Sequence, residues 1–179
     1  MECRNNLTKE DIISLLNEIN FRLEKDNAHG EIYLTGGASL ALVFDARYAT
    51  RDIDALFEPK EYMRKIFKEI ASDYDLDDDW LNDGVKGYVT PSMKFEVLFE
   101  YSNLKVFSAN AESLLAMKLT AARQDRSDMD DSIVLMKELN IQSEGELFEI
   151  ISKYAHPKYH TIQSKYFTKE AFVKYKNCK

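Results

Sequence analysis

The sequence predicts an α+β protein in which a small mixed sheet with flanking helices is followed by a C-terminal helical bundle. Two observations carry that expectation. Up to about Phe107, short strand-like runs alternate with amphipathic segments of helical period. From Ser108 onward only the helical period persists. The change predicts an α/β domain over residues 1–107 and a helical domain over 108–179 packed against it.

Taken in order, Thr8 suits a helix N-cap, and Ile12, Leu15, Leu16, Ile19 and Leu23 follow at the spacing of one buried face. A helix is therefore expected over Lys9–Lys25. Glu31–Thr35 reads as a strand stopped by Gly36-Gly37, with a helix over Ala38–Phe44 directly after it. Beyond a basic loop, Asp52–Phe57 reads as a second strand. Pro59 suits the first turn of a helix running to about Ala71. A turn-rich segment holds Trp80–Gly84, before strands over Met93–Tyr101 and Leu104–Phe107. Helices are expected at Asn110–Arg123, Asp128–Leu139 and Glu144–Tyr154, with one or two more after Thr161.

Composition narrows the function classes. With 45% hydrophobic and 31% charged residues among 179, the chain is globular rather than disordered. No apolar run nears the roughly 18 residues of a membrane span, and Met1–Asn6 lacks a signal peptide's apolar stretch. A cytoplasmic protein with no membrane partner is expected. Cys3 and Cys178 stand at opposite ends and read as free thiols in a reducing compartment. His29, His156 and His160 are too scattered for a zinc site. The net charge of −7 is uneven: seven lysines against one acid from Lys153 onward give +6, leaving −13 on residues 1–152. A basic tail with interleaved aromatics suits a polyanion such as RNA, and an ordinary lysine-rich terminal helix also accounts for it.

The chemistry concentrates in Leu34-Thr35-Gly36-Gly37-Ala38-Ser39 and Arg47-Tyr48-Ala49-Thr50-Arg51-Asp52-Ile53-Asp54. On a strand, Asp52 and Asp54 share a face roughly 6–7 Å apart, a spacing at which two carboxylates can share divalent cations such as Mg²⁺ or Mn²⁺. Gly36 and Gly37, lacking Cβ atoms, let a phosphate approach the backbone, and the helix start and the Ser39 hydroxyl add donors. Each piece alone has a plain reading, a turn for the glycines and a solvated strand edge for the aspartates. Their order within twenty residues suits a nucleoside triphosphate held beside metal.

These residues resemble the DNA polymerase β-like nucleotidyltransferase superfamily, in particular its minimal members and AbiEii-type toxin relatives. The resemblance spans roughly residues 31–135: Gly36-Gly37-Ala38-Ser39, Arg47 with Thr50–Ala55, Trp80–Asp83 with Lys86-Gly87, and Leu115–Leu119 with Asp128 and Asp131. It implies the nucleotidyltransferase fold, triphosphate binding at Gly36, Gly37, Ser39 and Arg51, and metal binding at Asp52 and Asp54. It also implies a third carboxylate on a following strand, for which Glu96 is the candidate. Glu96 facing solvent is the alternative. Lys118 is implied to reach the triphosphate, and a lysine snorkelling from a core edge is the plain reading. Asp128 and Asp131, one helical turn apart after a Ser127 N-cap, are implied nucleotide contacts, while acids in a first helical turn also need no other reason. The implied activity is transfer of a nucleoside monophosphate to a hydroxyl on RNA, protein or a small molecule. A toxin paired with an antitoxin, or a phage-defence role, follows from the toxin relatives. The competing expectation is a catalytically weakened nucleotide- or partner-binding module.

Overall fold

The structure is a computed structural model and describes residues 6–44, 47–121 and 126–178, so Cys3 and Arg123 lie outside it. The chain forms two compact units. The first runs through Gly87 and takes in Phe95–Ser108, and the second joins Tyr88–Lys94 to the residues from Ala109 on.

The first unit starts with strand β1 (Leu7–Thr8) and helix α1 (Lys9–Lys25). Thr8 caps α1 as its sequence position suggests, and Asp11 completes the cap reciprocally: the Asp11 N–H donates to Thr8 Oγ1 at 3.2 Å, and the Thr8 N–H to Asp11 Oδ2 at 3.0 Å. The five predicted apolar positions of α1 are all buried. There follow β2 (Gly30–Leu34), α2 (Gly36–Val43), β3 (Ala49–Thr50), β4 (Ile53–Glu58), α3 (Lys60–Tyr74), β5 (Leu81–Asn82), β6 (Phe95–Glu100) and β7 (Leu104–Ala109). Five strands form a mixed sheet in the order β5-β4-β2-β7-β6. β2 is antiparallel to β4 and parallel to β7, and β4 is parallel to β5.

Alternation sorts the side chains of this sheet. Ile32, Leu34, Ile53, Ala55, Phe57, Leu104 and Val106 are buried in one cluster with the apolar faces of α1 and α3. On the other face Tyr33 stacks flat on Phe107, with ring centroids 4.6 Å apart. Trp80 is 2% exposed, and its indole N–H donates to the Phe67 carbonyl at 3.0 Å, which ties the entry of β5 to α3.

The second unit holds α4 (Ala111–Ala121), α5 (Arg126–Glu138), α6 (Glu144–Tyr154), a 3₁₀ turn (Pro157–Tyr159) and α7 (Ile162–Asn177). Ser143 and Thr161 cap α6 and α7 through their hydroxyls. Ser127, expected as an N-cap, instead lies inside α5. Of the aromatic residues interleaved in the basic tail, Tyr154 and Tyr175 are 1% and 0% exposed. Lys158 lies over the Tyr159 ring, Lys176 over Phe172, and Lys174 pairs with Glu170. Tyr166 remains largely exposed at 73%, so the row of stacking rings expected for RNA is reduced to little more than this one. Among the described residues no helix is long and apolar enough to cross a membrane.

Candidate functional site

At the end of β2 the chain turns directly into α2. Thr35 makes the turn: its N–H and its hydroxyl both donate to the Asp54 carbonyl, at 2.9 and 3.0 Å. Because the hydroxyl is spent there, α2 has no side-chain cap, and no acid stands in its first turn. An α-helix leaves its first N–H groups without intrahelical partners, so this end carries donors and partial positive charge.

Gly36 follows in the left-handed region, at φ +58°. A Cβ built there would stand 2.9 Å from Asp54 Oδ2. Only glycine lets the helix start this close to that carboxylate. Ile53 and Ala55 anchor β4 in the core, and alternation leaves Asp54 half-buried on the opposite face. Asp52 sits in the bend before β4, where the Thr50 hydroxyl donates to its carbonyl at 3.1 Å. On neighbouring β5, Asn82 Nδ2 lies 3.4 Å from Asp52 Oδ2. The site thus gathers the N-terminal end of α2, Gly36, Asp52 and Asp54. Both carboxylates are hard oxygen donors of the kind Mg²⁺ takes, and the missing Cβ of Gly36 leaves room beside Asp54 Oδ2.

Other expected site residues are placed differently. Gly37 is buried, and a Cβ on it would come within 2.4 Å of Thr50 Oγ1. Thr50 fills the space its missing side chain leaves, so close packing by itself requires a glycine there. Gly37→Ala is expected to cost about 1–3 kcal/mol of stability by overpacking, read by urea denaturation. Thr50→Ala in the same chain should recover part of that loss. Ser39 is 0% exposed, and its hydroxyl has no partner among the described residues, so it is not presented to a ligand. Arg51 is exposed in the bend beside Asp52.

Glu96 is not brought to the pair. It is exposed on β6, which β2 and β7 separate from β4, and three strand spacings amount to about 14 Å. Among the described residues no three His, Cys, Asp or Glu side chains form a metal-holding group. Asn82, which sequence reasoning did not single out, occupies the strand beside the pair instead. The resemblance takes it in, within Trp80–Asp83, without giving it a role.

Lys118, Asp128 and Asp131 do come together, within the second unit. Lys118 Nζ lies 2.7 Å from Asp128 Oδ1 and 2.9 Å from Asp131 Oδ2, and all three side chains are at most 13% exposed. The second Asp128 oxygen is buried, with no hydrogen-bond partner among the described residues. The ammonium is held as the counter-ion of two buried acids, which favours a structural role over a snorkelling one.

A cleft of about 460 Å³ opens at the other end of the first unit's sheet, beside Glu31, Glu58 and Glu100. The Tyr33 hydroxyl donates to Glu31, which, together with burial, pushes the phenol up to about 12. Lys105 pairs with Glu100 there, which leaves Glu31 and Glu58 to repel a triphosphate.

The family described as "Nucleotidyltransferase of unknown function (DUF6036)" matches residues 10–178. The chain belongs to this family. Comparison with curated proteins and with solved structures found no match. The DUF6036 match covers both units, the α2–β4 site of the first and the buried ion cluster of the second. The α+β architecture is consistent with a nucleotidyltransferase fold.

Proposed function

We propose that this DUF6036 chain moves a nucleoside monophosphate from a nucleoside triphosphate to a hydroxyl acceptor, in a reaction that depends on Mg²⁺ or Mn²⁺. One observation carries the reading: a helix N-terminus with neither side-chain cap nor acid begins at Gly36, against the carboxylate of Asp54. Donors for phosphate and ligands for a cation lie side by side, which is what binding a metal–triphosphate requires.

In the reaction the acceptor oxygen forms a bond to the α-phosphorus, the bond to pyrophosphate breaks, and the acceptor proton passes to solvent or a base. The N–H groups opening α2 bind and orient phosphate oxygens. Asp52 and Asp54 hold the cation, with Arg51 exposed alongside to meet a phosphate. When bound, the cation neutralises charge on the phosphates. Thr35, fastened to the Asp54 backbone, keeps the strand and the helix start in register.

The AbiEii-like reading, a toxin held by an antitoxin, rests on the sequence resemblance, as does RNA as acceptor. The distance of Glu96 from the pair favours the second reading, a nucleotide-binding module with weakened catalysis. The test is a melting experiment with each nucleoside triphosphate, with and without Mg²⁺, followed by a search for labelled nucleotide on RNA, protein and small hydroxyl compounds. The proposal expects stabilisation that requires both ligands, and label on one acceptor. Stabilisation without label on any of them supports the binding module, and no stabilisation refutes both.

A further inference from the structure

We infer that the exposed face of α7, with the groove it forms against α6, docks an acidic amphipathic helix of another polypeptide. The surface lies wholly within the second unit and is independent of the nucleotide reading.

A surface helix ordinarily turns its large apolar side chains inward. Helix α7 does the reverse. It buries Ser164, Thr168, Ala171 and Tyr175. It leaves Ile162, Tyr166 and Val173 74%, 73% and 55% exposed. The buried hydroxyls are all satisfied in this rotation. Ser164 donates to the Tyr159 and Thr161 carbonyls at 3.0 and 2.9 Å, and Thr168 to the Ser164 carbonyl at 2.8 Å. The Tyr175 hydroxyl donates to the Ile141 carbonyl, ahead of α6, at 3.1 Å. Rolling α7 to hide Ile162 and Tyr166 would break that last bond and bring the Tyr175 ring into water.

At 3.6 residues per turn, positions i, i+4 and i+11 fall within about 40° of one another, so the three exposed side chains form one stripe about 16 Å long. Beside it opens a groove of about 500 Å³, lined by Phe148 of α6 and by Ile162, Lys165, Tyr166 and Lys169 of α7.

Charge selects the occupant. Among the described residues neither Lys165 nor Lys169 is held in an ion pair, and the one acid of α7, Glu170, is taken by Lys174 at 2.9 Å. An apolar stripe about three turns long beside free ammonium groups complements a helix whose own apolar stripe is flanked by Asp or Glu. A nucleic acid would use the lysines and leave the aliphatic Ile162 and Val173 against its phosphates. A lipid surface is flat and would leave the groove at Phe148 unfilled. A second copy docked about a two-fold axis through this face would bring the same lysines together.

The test selects from a displayed library of helices about three turns long with randomised surfaces, using the full chain as target and the Ile162→Ser/Tyr166→Ser variant as counter-target. Both substituted positions are exposed, so the variant should melt with the parent; if it melts lower, Lys165→Glu/Lys169→Glu serves as counter-target. The inference expects enriched helices with apolar residues at i, i+4 and i+7 or i+11 and Asp or Glu beside them. A synthetic peptide of such a sequence should bind the parent and lose about 10-fold or more in affinity to Ile162→Ser, and as much to Lys165→Glu/Lys169→Glu. No enrichment over the counter-target overturns the inference, and so does enrichment of basic or uncharged helices. Binding of phosphatidylserine vesicles or single-stranded RNA in place of such helices, lost in the same variants, gives the face to that partner and overturns it. Self-association of the parent that the variants abolish gives the face to a second copy and overturns it as well.

Discussion

Asp54→Asn is expected to remove Mg²⁺-dependent nucleotide binding while the protein stays folded. An amide of the same shape leaves the backbone carbonyl that receives both Thr35 donors in place. It removes a negative charge from a site whose cation is balanced by only two carboxylates. Replacing groups that merely support a ligand costs about 10–100-fold in metal affinity, so losing a direct ligand should cost about 100-fold or more. Calorimetry with and without Mg²⁺ reads the loss, and unchanged affinity would mean the cation sits elsewhere.

The largest stability effect is expected at Lys118. Lys118→Met removes the ammonium that lies within 3 Å of Asp128 and Asp131, which are 5% and 3% exposed. Breaking a buried pair on one side costs about 3–5 kcal/mol, because the remaining charge has lost both water and partner. Here two buried acids lose that cation together, and among the described residues one Asp128 oxygen has no hydrogen bond. Urea denaturation should show the loss, and Asp128→Asn combined with Lys118→Met should return part of it. If Lys118 served only a triphosphate, stability would barely move and nucleotide affinity would fall.

Much of the first unit was legible because its signals are local. Thr8 with the apolar stripe from Ile12 to Leu23 marks α1 to the residue, and Asp54 alternates with core residues Ile53 and Ala55 as a strand edge requires. The pairs β1–β3 and β4–β5 were not legible, since two-residue strands show no period and exist only through their partners. Strand order is equally silent in sequence, and that is why Glu96 was expected near the aspartates: it lies on a strand, but on the wrong edge. Helix α2 begins two residues ahead of the expected Ala38, because the positive φ of Gly36 starts the helix where a stop was expected.

The parallel pairing of β2 with β7 ties Gly30 to Leu104 and Leu34 to Ser108. On the ribosome, β2 is made long before its inner neighbour exists. Until then the nascent chain can join β2 to β4 only, and the other edge of β2 stays open to any passing strand. A messenger cut short after Gly87 would release a half-sheet rather than a small domain, with the central edge bare. The longest wait in assembling this sheet thus falls on its middle strand, the one that leads into the candidate site.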